Sequence, residues 1–278
     1  MTGAPRPAEF VVGRPWLQLL FACLFGLVWS CSAAEEPVPL GDPSAASGGA
    51  GVSGSGSMAG SGGATVNPLG RARCRAPDGV SDSPQNTQQT LQLLNALPKP
   101  TTVACLVESL SRPLTIYATS SPFSAQPALS VISPRVFIKL GSLWISVVID
   151  GDSSYLVEFG DLVAGEQPRS IKGELLLPVS EAVTPSAPYD RVKEGTGTVC
   201  GLCHYDEHHE GSMLFDTAFS SIAFRPRPDS RVSVEALRLQ SQLCDWQVEP
   251  HRCEMLSAVF GGGDVLETAF PDSMVTFF

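Results

Sequence analysis

Apolar and polar positions divide the 278-residue chain into stretches of different period. Residues 85–97 place Leu91, Leu94 and Leu97 on one side of a short helix, which Pro98 and Pro100 end. Beyond residue 100, short runs rich in Val, Ile, Leu, Phe and Tyr predict strands over 102–106, 114–118, 135–140, 143–149, 155–159 and 171–177. Gly141-Ser142 and Gly151-Asp152 have the composition of hairpin turns. From residue 181 the strand pattern fades, and Pro185, Pro188, Gly195 and Gly197 predict irregular chain. Two helices follow. One covers 234–246 with Ala236, Leu239, Leu243 and Trp246 on its apolar face. The other opens at Pro250, carries Cys253, Leu256 and Phe260 at helical spacing, and stops at the glycines 261–263. The expected fold class is mainly β with a small α region: a β-sandwich or barrel-like domain, then an irregular and helical segment.

The N-terminal pattern is of another kind. Residues 16–29 are apolar and uncharged, and Arg6 and Arg14 precede them. The run is short for a membrane-spanning helix and suits the core of a signal peptide. Residues 44–65 are almost wholly Gly, Ser and Ala, which cannot bury enough apolar surface to offset ordering entropy. That tract reads as a flexible stalk, and Met58 within it is neither core nor ligand. The expected organisation is a signal peptide over 1–30, a stalk and transitional segment over 31–98, a β-rich domain over 99–190 and a C-terminal segment over 191–278.

Net charge is −10, from 18 Lys and Arg against 28 Asp and Glu, so no cationic excess exists to neutralise phosphates. A general nucleic-acid binder is thereby excluded. Eight cysteines fit an oxidising compartment or a cofactor site better than a reducing cytosol. The apolar run ends at Ser30-Cys31, followed by Ser32-Ala33-Ala34. This junction resembles a bacterial lipoprotein signal. The resemblance implies that Cys31 carries lipid and becomes the new N-terminus, and Ser32 resembles the outer-membrane pattern. The implied location is the periplasmic side of the cell envelope, with the membrane as a partner through a lipid anchor. Simple cleavage near Ala33 or Ala34 is the other reading.

One short motif carries specific chemistry. Cys200-Gly201-Leu202-Cys203-His204 offers two thiols that can each add to a porphyrin vinyl group, and an imidazole beside them for the iron. The pentapeptide resembles the haem-attachment site of c-type cytochromes. The resemblance covers little more than the motif, since a β-rich stretch precedes it where those proteins usually have a helix. It implies one covalent haem c on Cys200 and Cys203, His204 as the proximal ligand, and electron transfer with an unidentified redox partner protein rather than enzymatic turnover. Met274, in a Phe270-Pro271-Asp272-Ser273-Met274 stretch, is the first candidate for the distal ligand and Met255 the second. Met213, His208, His209 and His251 also lie downstream, and a five-coordinate iron stays open.

With Cys23 in the signal, Cys31 lipidated and two thiols holding haem, four cysteines remain. Cys244 and Cys253 flank the break between the late helices, leaving Cys74 for Cys105, although other pairings stay open. The alternative function is a cell-envelope binding or structural module whose cluster is a disulfide, or a zinc site of Cys200, Cys203, His204 and His208 or His209. A redox dithiol would want a helix start after a strand, and no βαβ pattern surrounds the pair. No G-x-S-x-G elbow, H-E-x-x-H or P-loop occurs, and Gly195-Thr196-Gly197-Thr198 is too short for a dinucleotide fingerprint. Asp206, Glu207 and Glu210 read as a solvated acidic loop, while the charges of residues 169–172 and 189–191 are possible partners for haem propionates.

Overall fold

The structure, a computed structural model, describes residues 70, 72–163, 165, 167–211 and 215–277. The signal region, Cys31, the 44–65 tract with Met58, and Met213 lie outside the described residues. Helix α1 (Thr87–Ala96) starts where the Asn86 side chain accepts the Gln89 N–H, and it buries Leu91, Leu93 and Leu94. The next segment, expected to be a strand over 102–106, is instead helix α2 (Val103–Ser109). A short continuous apolar run has no period to distinguish the two forms. Thr102 decides it by accepting the Cys105 N–H, and a disulfide joins Cys105 to Cys74.

Five strands then form an antiparallel meander: β1 (Leu114–Thr119), β2 (Arg135–Leu140), β3 (Leu143–Val148), β4 (Leu156–Val163) and β5 (Arg169–Leu176). Gly141, at φ 64°, makes the two-residue β2–β3 turn, because Leu140 pairs with Leu143. Beyond the meander lie helix α3 (Ala187–Val192), the hairpin of β6 (Lys193–Glu194) and β7 (Gly197–Thr198), and the short strands β8 (His208–His209), β9 (Phe219–Ile222), β10 (Phe224–Arg225) and β11 (Arg231–Val232). Helices α4 (Val234–Gln242) and α5 (Pro250–Phe260) and strands β12 (Val265–Glu267) and β13 (Val275–Thr276) complete the chain.

The protein is therefore mainly β, with a nine-stranded mixed sheet and a few helices. The order is β11-β1-β2-β3-β4-β5-β9-β8, with β12 added in parallel to β1. The late strands thus belong to the same sheet as the meander. One face carries Ile116, Ile138, Ile145 and Phe159 in register. These residues pack with Leu94, Leu106, Leu237 and Leu256 into the main core. A second disulfide, Cys244–Cys253, ties the end of α4 to α5. The apolar stripe expected on the first late helix is not what the fold uses: Leu239 and Leu243 are 53% and 74% exposed, and Val234 and Leu237 are buried in their place. Ser233 caps the helix by accepting the Ala236 N–H. Among the described residues no helix is long and apolar enough to cross a membrane.

Candidate functional site

The site lies on the other face of the sheet. Successive strands place alternate side chains there, so Phe137, Ser146, Glu158 and Glu174 stand in one cross-strand row and Trp144, Gly160 and Lys172 in the next. Arg135 enters from the start of β2, forms an ion pair with Glu158 and donates to the Ser146 hydroxyl at 2.9 and 3.1 Å. Chain segments far apart in sequence cover this face. Phe270 stacks on Trp144 at 4.3 Å, and β10 pairs with β13 to bring Phe224 against Phe277.

The cysteine motif forms a tight turn against this layer. Residues Val199–Leu202 make one turn of 3₁₀-helix, with the Thr198 hydroxyl accepting the Cys200 N–H. The Cys200 carbonyl accepts the N–H groups of Cys203 at 3.1 Å and His204 at 2.8 Å. Glu207 is not a solvated acid: its carboxylate accepts from both the backbone N–H and the hydroxyl of Thr198, bracing the turn. Cys200 is partly buried, Cys203 is exposed, and both thiols are free.

His204 Nδ1 lies 2.9 Å from the Ile222 carbonyl oxygen. A carbonyl only accepts, so Nδ1 carries the proton and Nε2 keeps its lone pair. Burial, then the nearby Lys172 charge, push its pKa down to about 3, so the ring is neutral at physiological pH. A neutral imidazole held through its other nitrogen by a backbone carbonyl is the usual state of a metal-ligating histidine. The Cys200 thiol goes the opposite way, up to about 11, chiefly by burial. A redox-active dithiol needs a lowered pKa, so this environment does not suit thioredoxin-like chemistry.

Motif and sheet enclose a cavity of about 690 Å³ lined by Cys200, Cys203, His204, Phe137, Phe224 and Lys172, among others. Its size falls within the range of cofactor pockets, roughly 300–1,000 Å³. Val199, Leu202, Phe123 and Phe277 add apolar wall, and Arg135 and Arg225 add positive charge. The mouth is at Leu202, which is 87% exposed, and Phe123. The cavity's charged groups are Arg135, paired to Glu158, Arg225, paired to Asp272, and Glu174 and Lys172.

The remaining sequence candidates are not gathered here. Met255 is buried in the main core on the helix-covered face. Met274 is buried with Tyr117, Trp144 and Phe270 and lines a smaller hollow of about 70 Å³ next to the cavity, not the cavity itself. His208 lies beside Asp206 and His209 against the Asp216 carbonyl, on the exposed strand β8. His251 sits on α5 next to Asp150. Among the described residues, the three metal-ligand side chains that converge within 4.8 Å are Cys244, Glu249 and Cys253, and those thiols are already joined to each other. Cys200, Cys203 and His204 are not in that group. Of the charges at 189–191, Arg191 meets Glu174, which lines the cavity, and Asp190 accepts from Thr217. Of the charges at 169–172, Arg169 binds Asp206, and Lys172 alone reaches the cavity.

Sequence reasoning missed Arg135, Glu158, Glu174, Phe137, Phe224 and Phe277 as site residues. The available signal was charge at alternate positions of otherwise apolar strands, which reads by default as a solvent-facing edge. No protein-family model matches the chain, and neither a curated protein nor a solved structure matches it.

Proposed function

We propose that the chain is an exported, membrane-tethered carrier of one c-type haem that serves electron transfer. The observation that carries this reading is the meeting of both motif thiols with a neutral, carbonyl-oriented imidazole on one macrocycle-sized cavity. Cys200 and Cys203 would hold the haem as thioethers, each by addition of S–H across a vinyl group with no leaving group. Because burial keeps the Cys200 thiol protonated at neutral pH, it is not an activated nucleophile by itself, and attachment relies on a cytochrome maturation system. His204 offers Nε2 as the proximal ligand, and the Ile222 carbonyl holds the ring in place. Phe137, Phe224 and Phe277 would shield the haem from water. The bound iron supplies a one-electron couple, whose potential the axial ligands, burial and nearby charge adjust.

The export and tether are read from residues 16–34, with Cys31 as the lipidated residue at the periplasmic face of the outer membrane. Two disulfides, Cys74–Cys105 and Cys244–Cys253, agree with an oxidising compartment.

The test is expression of the full chain with and without a cytochrome c maturation system, followed by intact mass and by absorption in denaturant. The expected result is a mass increment of one haem that appears only with the maturation system and keeps its bands on unfolding. A colourless protein of unmodified mass from cells that mature a control cytochrome overturns the reading. Cys31→Ala releases the protein from the membrane fraction if the tether is as proposed. An unchanged membrane fraction refutes the tether alone.

A further inference from the structure

Haem attachment, on which this inference rests, leaves the second axial position of the iron without a methionine. Met255 packs under the helices, and Met274 is shut in the aromatic cluster beside the cavity. We propose that Lys172 fills that position, binding the iron through Nζ on the side opposite His204.

Lys172 comes from β5, directly across the strand pair from Gly160, and its side chain lines both the large cavity and the smaller hollow. The other basic groups of the cavity have partners: Arg135 pairs with Glu158 and Ser146, and Arg225 with Asp272 at 3.0 Å. The Lys172 side chain makes no hydrogen bond and no ion pair with any described residue. An amine taken into an enclosed, aromatic-lined space without a partner is costly for the fold. That cost is offset if the group is held for a ligand that is not part of the polypeptide. The cavity carboxylates are less suited to the position, because Glu158 is committed to Arg135 and Glu174 to Arg191.

Lys172, Cys200 and His204 line the same cavity, so the amine faces the space that the two attachment groups border. Coordination uses the nitrogen lone pair. The ammonium proton leaves to water at the open rim near Leu202, and no electron is transferred. A nitrogen ligand on each face would give a low-spin, six-coordinate iron.

The experiment uses the full chain matured with haem, as wild type and as Lys172→Ala, Lys172→Arg, Lys172→His and Met274→Leu. Intact mass reports attachment, and absorption with electron paramagnetic resonance of the ferric form reports spin state. The expected wild type is low-spin. Lys172→Ala and Lys172→Arg keep the mass increment and turn high-spin. Arginine preserves length and charge and cannot coordinate, so it separates ligation from a merely electrostatic or structural role. Lys172→His restores the low-spin state, and Met274→Leu leaves it unchanged. A high-spin wild type, a low-spin Lys172→Arg protein with haem attached, or a spin change in Met274→Leu each overturns the assignment. A wild type without the mass increment overturns the haem reading itself, and the Lys172 assignment falls with it.

Discussion

On one face of the sheet, Ile116, Ile138, Ile145 and Phe159 form a cross-strand row sealed under five helices and their connections. On the other, one residue along the same strands, Phe137, Ser146, Glu158 and Glu174 form a polar row beside a cavity, with Arg135 paired to Glu158. The first face is held by apolar burial and two disulfides. The second is held by hydrogen bonds, stacked aromatics and short strands contributed from across the last third of the chain. One face therefore carries stability, and the other keeps open a space that apolar residues of the same strands would have closed.

The sharpest way to break this comparison is to truncate neighbours on opposite faces. Ile145→Ala removes a fully buried side chain from the main core and should cost about 2–5 kcal/mol. Ser146→Ala, one residue on, loses hydrogen bonds with Arg135 and Gln126 and should cost about 1–3 kcal/mol. Urea denaturation of both variants checks this. Equal losses would mean that the outer face bears as much of the stability as the core. The haem-attached fraction of folded protein should fall in Ser146→Ala and stay constant in Ile145→Ala, because Ser146 positions the Arg135 guanidinium at the cavity.

The disulfides sharpen the same contrast within the helix-covered side. Cys74–Cys105 spans 31 residues and Cys244–Cys253 spans 9. Chain-entropy arguments give about 4 kcal/mol for the longer loop and about 3 kcal/mol for the shorter. Denaturation midpoints of the two double-serine variants should fall in that order. A reversed order would show that strain or residual unfolded-state structure outweighs loop length.

Legibility from sequence followed the same division. Strand β2 and helix α1 could be read closely because each alternates or repeats enough to reveal a buried face, β3 because β-branched residues and the Gly141-Ser142 turn bound it, and α5 because Pro250 and the glycines 261–263 mark its ends. Helix α2 could not: its seven residues are all buried, so no polar side marks its period. The face of α4 differs from the expected one because the four apolar residues Ala236, Leu239, Leu243 and Trp246 outnumber Val234 and Leu237, the pair that packing on the sheet buries. The motif itself is local, five consecutive residues, and was plain. The cavity around it is not local. Its walls come from β2, β4, β5, β10 and the C-terminal residues, including two-residue strands that have no sequence period at all.

The smallest expected effect lies in the charged row. Glu174 stands directly across from Glu158, and burial followed by that neighbouring charge raises its pKa, against the opposing influence of Arg191 and Arg135. A carboxyl with a raised folded-state pKa keeps its proton at pH values where the unfolded chain has lost it. The folded state then binds more protons from about pH 4.5 upward, so stability falls as pH rises through that window and stays reduced at neutral pH. Glu174→Gln removes the like-charge pair and keeps an acceptor. It should stabilise the protein at pH 7 by about 0.5–1 kcal/mol, with the gain vanishing below pH 4. Thermal or urea unfolding of both proteins across pH 3.5–8 measures the difference. A constant difference would remove Glu174 as the titrating group, and a loss at neutral pH would mean that the Arg191 contact outweighs repulsion by Glu158. Either result would weaken the contrast at its outer edge, because the polar face would then stabilise the fold through its own ion pairs rather than sit as a tolerated cost beside the cavity.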